Sequence, residues 1–229
     1  MDPRISRIDL KTALRSVADL AAPRLCLSCG RKLLIYERHL CIPCRADIPF
    51  THYASRTRNP MADSYNALIE ADRYQYAAAL FFFRSDSDSV DSEAEDYSGE
   101  ADYTAITKAL KYHANFGAGR YFADMLGSEL ARAPHFADVD LVTCVPLHPL
   151  RRYRRGYNQA EIIARRVALA LGARFDGRLL RRVRRTRSQA SLAPAAKAAN
   201  VSGAFAARTV LPPSCRISVA TLAFVENNY

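Results

Sequence analysis

The sequence predicts a mixed α/β chain headed by a small metal-binding module, and three observations carry that reading. Cys26, Cys29, Cys41 and Cys44 form two CxxC pairs close together in the chain. The run YQYAAALFFF at 74–83 is too continuously apolar for a one-sided surface strand, so it reads as a buried one. A second apolar run at 141–145 stops at Pro146 and opens into a loop with Arg151, Arg152, Arg154, Arg155 and Gly156. A helical pattern follows Asn158 and Gln159. A strand, a basic loop and a helix in that order suit the holding of phosphates.

Taken in order, residues 1–22 form an N-terminal helical segment. Ile5, Ile8, Leu10, Leu14, Val17 and Leu20 share roughly one helical face, and Pro23 closes it. The dispersed charges Arg4, Arg7, Asp9, Lys11, Arg15 and Asp19 exclude the continuous apolar core of a signal peptide. They also argue against a membrane-surface helix, since no strongly cationic face results.

Residues 23–52 are the four-cysteine module. Two CxxC knuckles let four thiolates converge tetrahedrally on one Zn²⁺, and Gly30 favours the tight turn after the first pair. A redox CxxC is the weaker reading, because two pairs so close together serve a metal better than an electron couple. With all four positions filled, the site is structural rather than catalytic. Residues 32–36 are expected to form a ribbon strand between the knuckles. His39 and His52 are expected to face solvent, and Cys144 and Cys215 to be ordinary core or loop thiols.

After a polar connector comes the strand at 74–83, then a stretch at 85–102 with eight acids and no Lys or Arg. A calcium loop fails there, because Val90 stands where a ligand is needed and Asp91 where the turn glycine belongs. The stretch reads as a solvated loop. Residues 104–132 are helical, with Ile106, Leu110, Phe122, Leu126 and Leu130 near one face and an expected break at Gly117 and Gly119. Lys108 and Lys111 read as surface lysines in preference to ligand contacts.

The formal net charge of +10 is uneven: residues 141–229 hold 16 Lys+Arg against three acids. That excess points to a polyanionic ligand, namely phosphates, pyrophosphate or nucleic acid, with a solvated basic surface as the plain alternative. No apolar stretch approaches the ~20 residues of a membrane span. Paired cysteines without an export signal read as reduced thiols, so the expected location is cytoplasmic.

The run LVTCVPLHPLRRYRRGYNQAE at 141–161, behind the two cysteine pairs, resembles the signature of ComF-type proteins. These are phosphoribosyltransferase-like proteins linked to bacterial DNA uptake. The resemblance implies a phosphoribosyltransferase-type domain with a Rossmann-like parallel sheet over residues 53–205, behind a zinc-ribbon-like module of four cysteines. It places Pro146, Leu147 and His148 in a pyrophosphate loop. Arg151 belongs to the same cationic arm, and Arg155, Gly156, Asn158 and Gln159 match an RGxNQ element, with Tyr157 where Phe is common. His148 is open to two readings, a general base or a structural or phosphate-facing residue. Arg182, Thr186, Gln189 and Leu192 match a later family pattern, as do Lys197 and Asn200 with Lys in place of Arg, a swap that keeps charge but loses a bidentate grip.

The family pattern then continues with a strand, two adjacent aspartates and a Thr/Gly-rich loop. Here residues 206–229 form a divergent tail: after Asp176 the only acid is Glu226, and after Gly203 there is no glycine. The expectation is a domain without its C-terminal part, through a change of reading frame near Arg208 or as a natural short form. Two functions are carried forward. One is a ComF-like protein impaired in binding phosphoribosyl pyrophosphate, with Mg²⁺ required only if that ligand binds. The other is a non-catalytic, zinc-containing protein that binds single-stranded DNA or a DNA-uptake helicase.

Overall fold

The computed structural model describes residues 22–66, 73–83, 101–186 and 194–225. The expected helix at 5–20, most of the acidic stretch at 85–102, and Gln189 and Leu192 lie outside the described residues. The chain is mixed α/β, as the sequence predicts.

The cysteine module folds around two short hairpin-like contacts, Leu25 with Lys32 and Arg38 with Leu40, and then enters helix α1, Ile42–Ala46. The expected ribbon strand at 32–36 is absent. After the bridge at Lys32 the chain turns, because the Glu37 carboxylate accepts the Leu34 N–H at 2.6 Å and the Ile42 N–H at 2.7 Å. A buried acceptor that takes two local N–H groups stabilises a turn over an extended strand.

Helix α2, Pro60–Asn66, starts beside Asn59, whose side chain joins two elements. Its Oδ1 accepts the Ala62 N–H at 2.8 Å and its Nδ2 donates to the Ala77 carbonyl at 3.0 Å. Strand β1, Tyr74–Phe82, is buried through its centre, with Ala77 to Phe81 essentially inaccessible. One edge of β1 meets the chain leaving the cysteine module, through Thr51 N–H to Leu80 O at 3.2 Å and Phe82 N–H to Pro49 O at 2.9 Å.

Helix α3 is Thr104–Tyr112 and helix α4 is Phe116–Arg132. The break between them falls at residues 113–115, not at the glycines. Ala114 takes φ +50°, and Asn115 Oδ1 accepts the Ala118 N–H at 3.0 Å as the N-cap of α4. Gly119 lies inside α4 for a packing reason, since a Cβ there would sit 2.6 Å from Leu110 Cδ1. The inner face of α4, with Phe122, Leu126 and Leu130, joins one core with Phe81 of β1 and Cys26, Leu40, Cys41 and Cys44 of the module.

The basic half is built on β2, Leu141–Val142, paired in parallel with β3, Arg174–Phe175. Helix α5 is Pro149–Arg155 and helix α6 is Gln159–Leu171, ended by Gly172 at φ +66°. Helix α6 packs on α4 so closely that a Cβ on Gly127 would come within 2.7 Å of Ala170 Cβ. Strand β4, Leu180–Arg182, pairs antiparallel with β5, Phe205–Ala207, and helix α7, Pro194–Val201, lies between them in the chain.

Strand β6, Ile217–Phe224, runs parallel to β1 and pairs with it along nearly its whole length. The divergent tail therefore supplies the partner of the most buried strand. Among the described residues the strands form three separate two-stranded pairs, two parallel and one antiparallel, in place of the single parallel sheet expected. The ladder of β2 stays short for a local reason. Thr143 turns its hydroxyl to the Asp176 carbonyl at 2.8 Å, and Pro146 and Pro149 then have no N–H to pair.

Candidate functional site

The four cysteines come from the two ends of the module and meet in one place. Their Sγ atoms all lie within 4.8 Å of one another, three of the four residues being buried. Cys29 and Cys41 Sγ are 3.7 Å apart. A tetrahedral Zn²⁺ with bonds of about 2.3 Å places its sulfurs ~3.8 Å apart, so the donor set fits that ion. Among the described residues this is the one cluster of three or more metal-ligating side chains.

Each knuckle has a physical origin. Gly30 takes φ +68°, and its N–H donates to the Cys26 carbonyl at 2.9 Å to close the first turn. Cys41 is the N-cap of α1, and its own N–H donates to Cys26 Sγ at 3.4 Å. Burial pushes the Cys41 and Cys44 thiols above their ordinary value. Burial also acts to raise Cys26, but the N–H groups of Cys29, Cys41 and Ser28 outweigh it and the thiol ends below its ordinary value. Crowded thiols resist sharing negative charge, and a divalent cation at their centre reverses that balance.

One residue of this region escaped the sequence reading, and a second stands elsewhere than expected. Glu37 is the only acid between the two cysteine pairs, and that isolation was the available signal. It is buried, and the N–H groups of Leu34 and Ile42 hold its carboxyl below the usual range. His39, expected to face solvent, is half-buried at φ +57° and packs against Tyr121 of α4 with ring centroids 5.4 Å apart. Burial, then Arg38 and Arg24, pull its pKa down. His52 is exposed, and Cys144 is buried, as expected.

The arginine-rich arm is a helix, α5, and not a loop. His148 caps it, its Nδ1 accepting the Leu150 N–H at 3.3 Å, and Gly156 ends it at φ +79°. Pro149 at the first helical position has the φ that a helix start requires, which is why the run folds this way. Pro146 and Leu147 lie in the turn between β2 and α5. Arg155 donates to Gln159 Oε1 at 2.6 Å. Asn158 is buried: it donates to Val145 O at 3.1 Å and accepts the Ala160 N–H at 3.1 Å, so it joins the segment that follows β2 to the start of α6.

Glu161 is the carboxylate of this face, with Arg165 at 2.8 Å and Arg152 at 3.5 Å, and Arg165 also lies 4.5 Å over the Phe175 ring. Tyr153 is 87% exposed between Arg152 and Arg154. Arg151 turns the other way and donates to the Thr186 carbonyl at 3.1 Å. Arg182 donates to the Thr186 hydroxyl and stacks 5.0 Å over Phe205. No helix of the described residues is long and apolar enough to cross a membrane.

Two curated proteins are similar to part of this chain. Both are named DNA utilization protein YhgH, one from Salmonella typhi and one from Salmonella typhimurium. Each is 35% identical over 66 residues, a stretch that covers 29% of this chain and 29% of the relative. The match thus spans less than a third of the relatives' length. No family model matches the chain, and no solved structure matches it.

Proposed function

We propose that this chain is a ComF-like protein of the phosphoribosyltransferase type, zinc-bearing and acting in DNA uptake or the handling of DNA-derived nucleotides. The observation that carries it is the tetrahedrally compatible cluster of four cysteines in a chain whose partial relatives are named for DNA utilization. The basic face around α5 adds support, because a phosphorylated ligand requires cations that neighbouring acids do not neutralise. Zn²⁺ on Cys26, Cys29, Cys41 and Cys44 is structural: it ties the module to the core beneath β1 and α4. Phosphoribosyl transfer itself is weak or lost, since residues 177–225 contain no acid to grip ribose hydroxyls or Mg²⁺.

A second reading, a non-catalytic binder of single-stranded DNA, draws on Tyr153. An exposed aromatic ring set among arginines suits base stacking beside backbone phosphates. Titration calorimetry with phosphoribosyl pyrophosphate and Mg²⁺, beside anisotropy with a labelled oligodeoxythymidylate, separates the two. Weak but saturable heat with the first, and anisotropy with the second that is weak and salt-insensitive, supports the proposal. Binding of the oligonucleotide alone, falling steeply with salt, replaces it with the second reading.

A further inference from the structure

Arg151 and the pair Arg182 and Arg184, about 30 residues further along the chain, converge beside α5 without a carboxylate. Arg151 of α5 donates to the Thr186 carbonyl at 3.1 Å, and Arg182 of β4 donates to the Thr186 hydroxyl. Both guanidinium groups therefore meet on one residue, and Thr186 is only 7% exposed. Arg184 flanks them and donates to the Asn200 carbonyl at 3.1 Å and the Ser202 carbonyl at 2.6 Å, at the end of α7. None of the three makes an ion pair among the described residues, where the pairs on this face belong to Arg152, Arg165 and Arg166.

Arg182 is left short of partners. Its Nε is buried and makes no hydrogen bond among the described residues, while the ring of Phe205 occupies one face of the group. Burial, then the charges of Arg151 and Arg184, pull its pKa below the ordinary guanidinium value. Half-buried like charges of this kind cost stability unless an anion joins them. A guanidinium has five donors in a planar fork suited to phosphate oxygens, and Arg182 engages few of them.

We infer that Arg151 and Arg182, which converge on Thr186 at its carbonyl and its hydroxyl respectively, form a subsite for a terminal phosphate, the end group of a phosphomonoester or diphosphate. It is separate from the turn at Pro146, Leu147 and His148. A terminal phosphate offers three free oxygens and can enter a half-buried fork, whereas a diester within a strand offers two and has a sugar on each side. Arg152, Tyr153 and Arg154 are the exposed cationic and aromatic residues of α5 and are the ones open to a strand. The Thr186 hydroxyl accepts from Arg182 and keeps its own proton to donate to a phosphate oxygen. The subsite rests on the polyanion reading of the basic half and specifies which groups take the phosphate.

The test uses the full chain purified with zinc, with inorganic pyrophosphate as probe and an oligodeoxythymidylate lacking terminal phosphates as comparison. Arg182→Ala, Arg151→Ala and Thr186→Val are compared with the unmodified chain. The expected result is at least a tenfold loss of pyrophosphate affinity in both arginine variants, a smaller loss in Thr186→Val, and less than a twofold change with the oligonucleotide. If Arg182→Ala melts early, Arg151→Ala carries the comparison. Equal losses for both probes, or pyrophosphate binding that neither arginine variant weakens, overturn the subsite and leave the polyanion reading standing. An unmodified chain that binds neither probe overturns both.

Discussion

At the scale of single residues, the chain shows how few side chains are needed to bring four thiols together in one place. The two CxxC pairs bring the thiols near one another, but Glu37 and the Cys41 N–H set the turn that makes all four converge. Cys41→Ser is expected to lower zinc from about one per chain to a small fraction and to broaden or abolish the cooperative melting transition. Metal analysis and calorimetry on the same sample check it, and a variant that retains full zinc refutes the four-thiolate site. Asp102 is a second polar residue with a readable consequence. Burial acts to raise its carboxyl, but the hydroxyl and N–H of Thr104, at 2.5 Å and 2.8 Å, together with Lys108 hold it below the usual range. A lowered folded pKa gives stability that is complete above the unfolded value of about 4 and is lost as pH falls through the folded one. Asp102→Ala should therefore cost about 0.5–1 kcal/mol at pH 7, its side chain being partly exposed, with the gap closing on acidification. Urea melts at pH 7 and pH 3 measure the gap, and one of constant size contradicts the assignment.

At the scale of elements, close approaches of backbone decide more than propensity does. Helices α4 and α6 meet at Gly127, where an added Cβ would lie 2.7 Å from Ala170 Cβ and 3.4 Å from the Val167 backbone. Gly127→Ala should cost about 1–3 kcal/mol through forced separation of the helices, despite the better helix propensity of alanine. At Gly119 the obstacle is the side chain of Leu110, which can shift, so Gly119→Ala should cost less. Chemical denaturation of the two variants ranks them, and the reverse order sinks the argument. The same elements show where periodicity misleads. The break at residues 113–115 comes from Ala114 at positive φ and the Asn115 cap, while two glycines close by in sequence lie within the helix. The arginine arm is helical because Pro149 starts it, His148 caps it and Gly156 ends it. These start and stop signals were present in the sequence, although the run of charge reads first as a loop.

At the scale of the whole molecule, the parallel pair β1 and β6 ties residues 217–224 to the centre of the fold. Phe81 of β1 packs on Phe122 of α4, with ring centroids 6.3 Å apart, and Leu222 of β6 is 6% exposed in the same core. Leu222→Ala should cost about 2–4 kcal/mol, as expected for truncation of a buried leucine. Urea unfolding reads it out. A change below about 0.5 kcal/mol would mean that β6 contributes little to the core.

The sequence by itself determined the mixed α/β class, the cysteine cluster, the buried strand at 74–82 and the basic half, because ligand spacing, unbroken apolarity and charge excess are local properties of the chain. Only the tertiary structure decided that β6 pairs with β1, that His39 packs on Tyr121, and that Arg151 meets Arg182 at Thr186. Each of those joins residues between about 30 and 145 positions apart, and the free energy that selects such pairings comes from shared burial, which no local pattern of residues encodes.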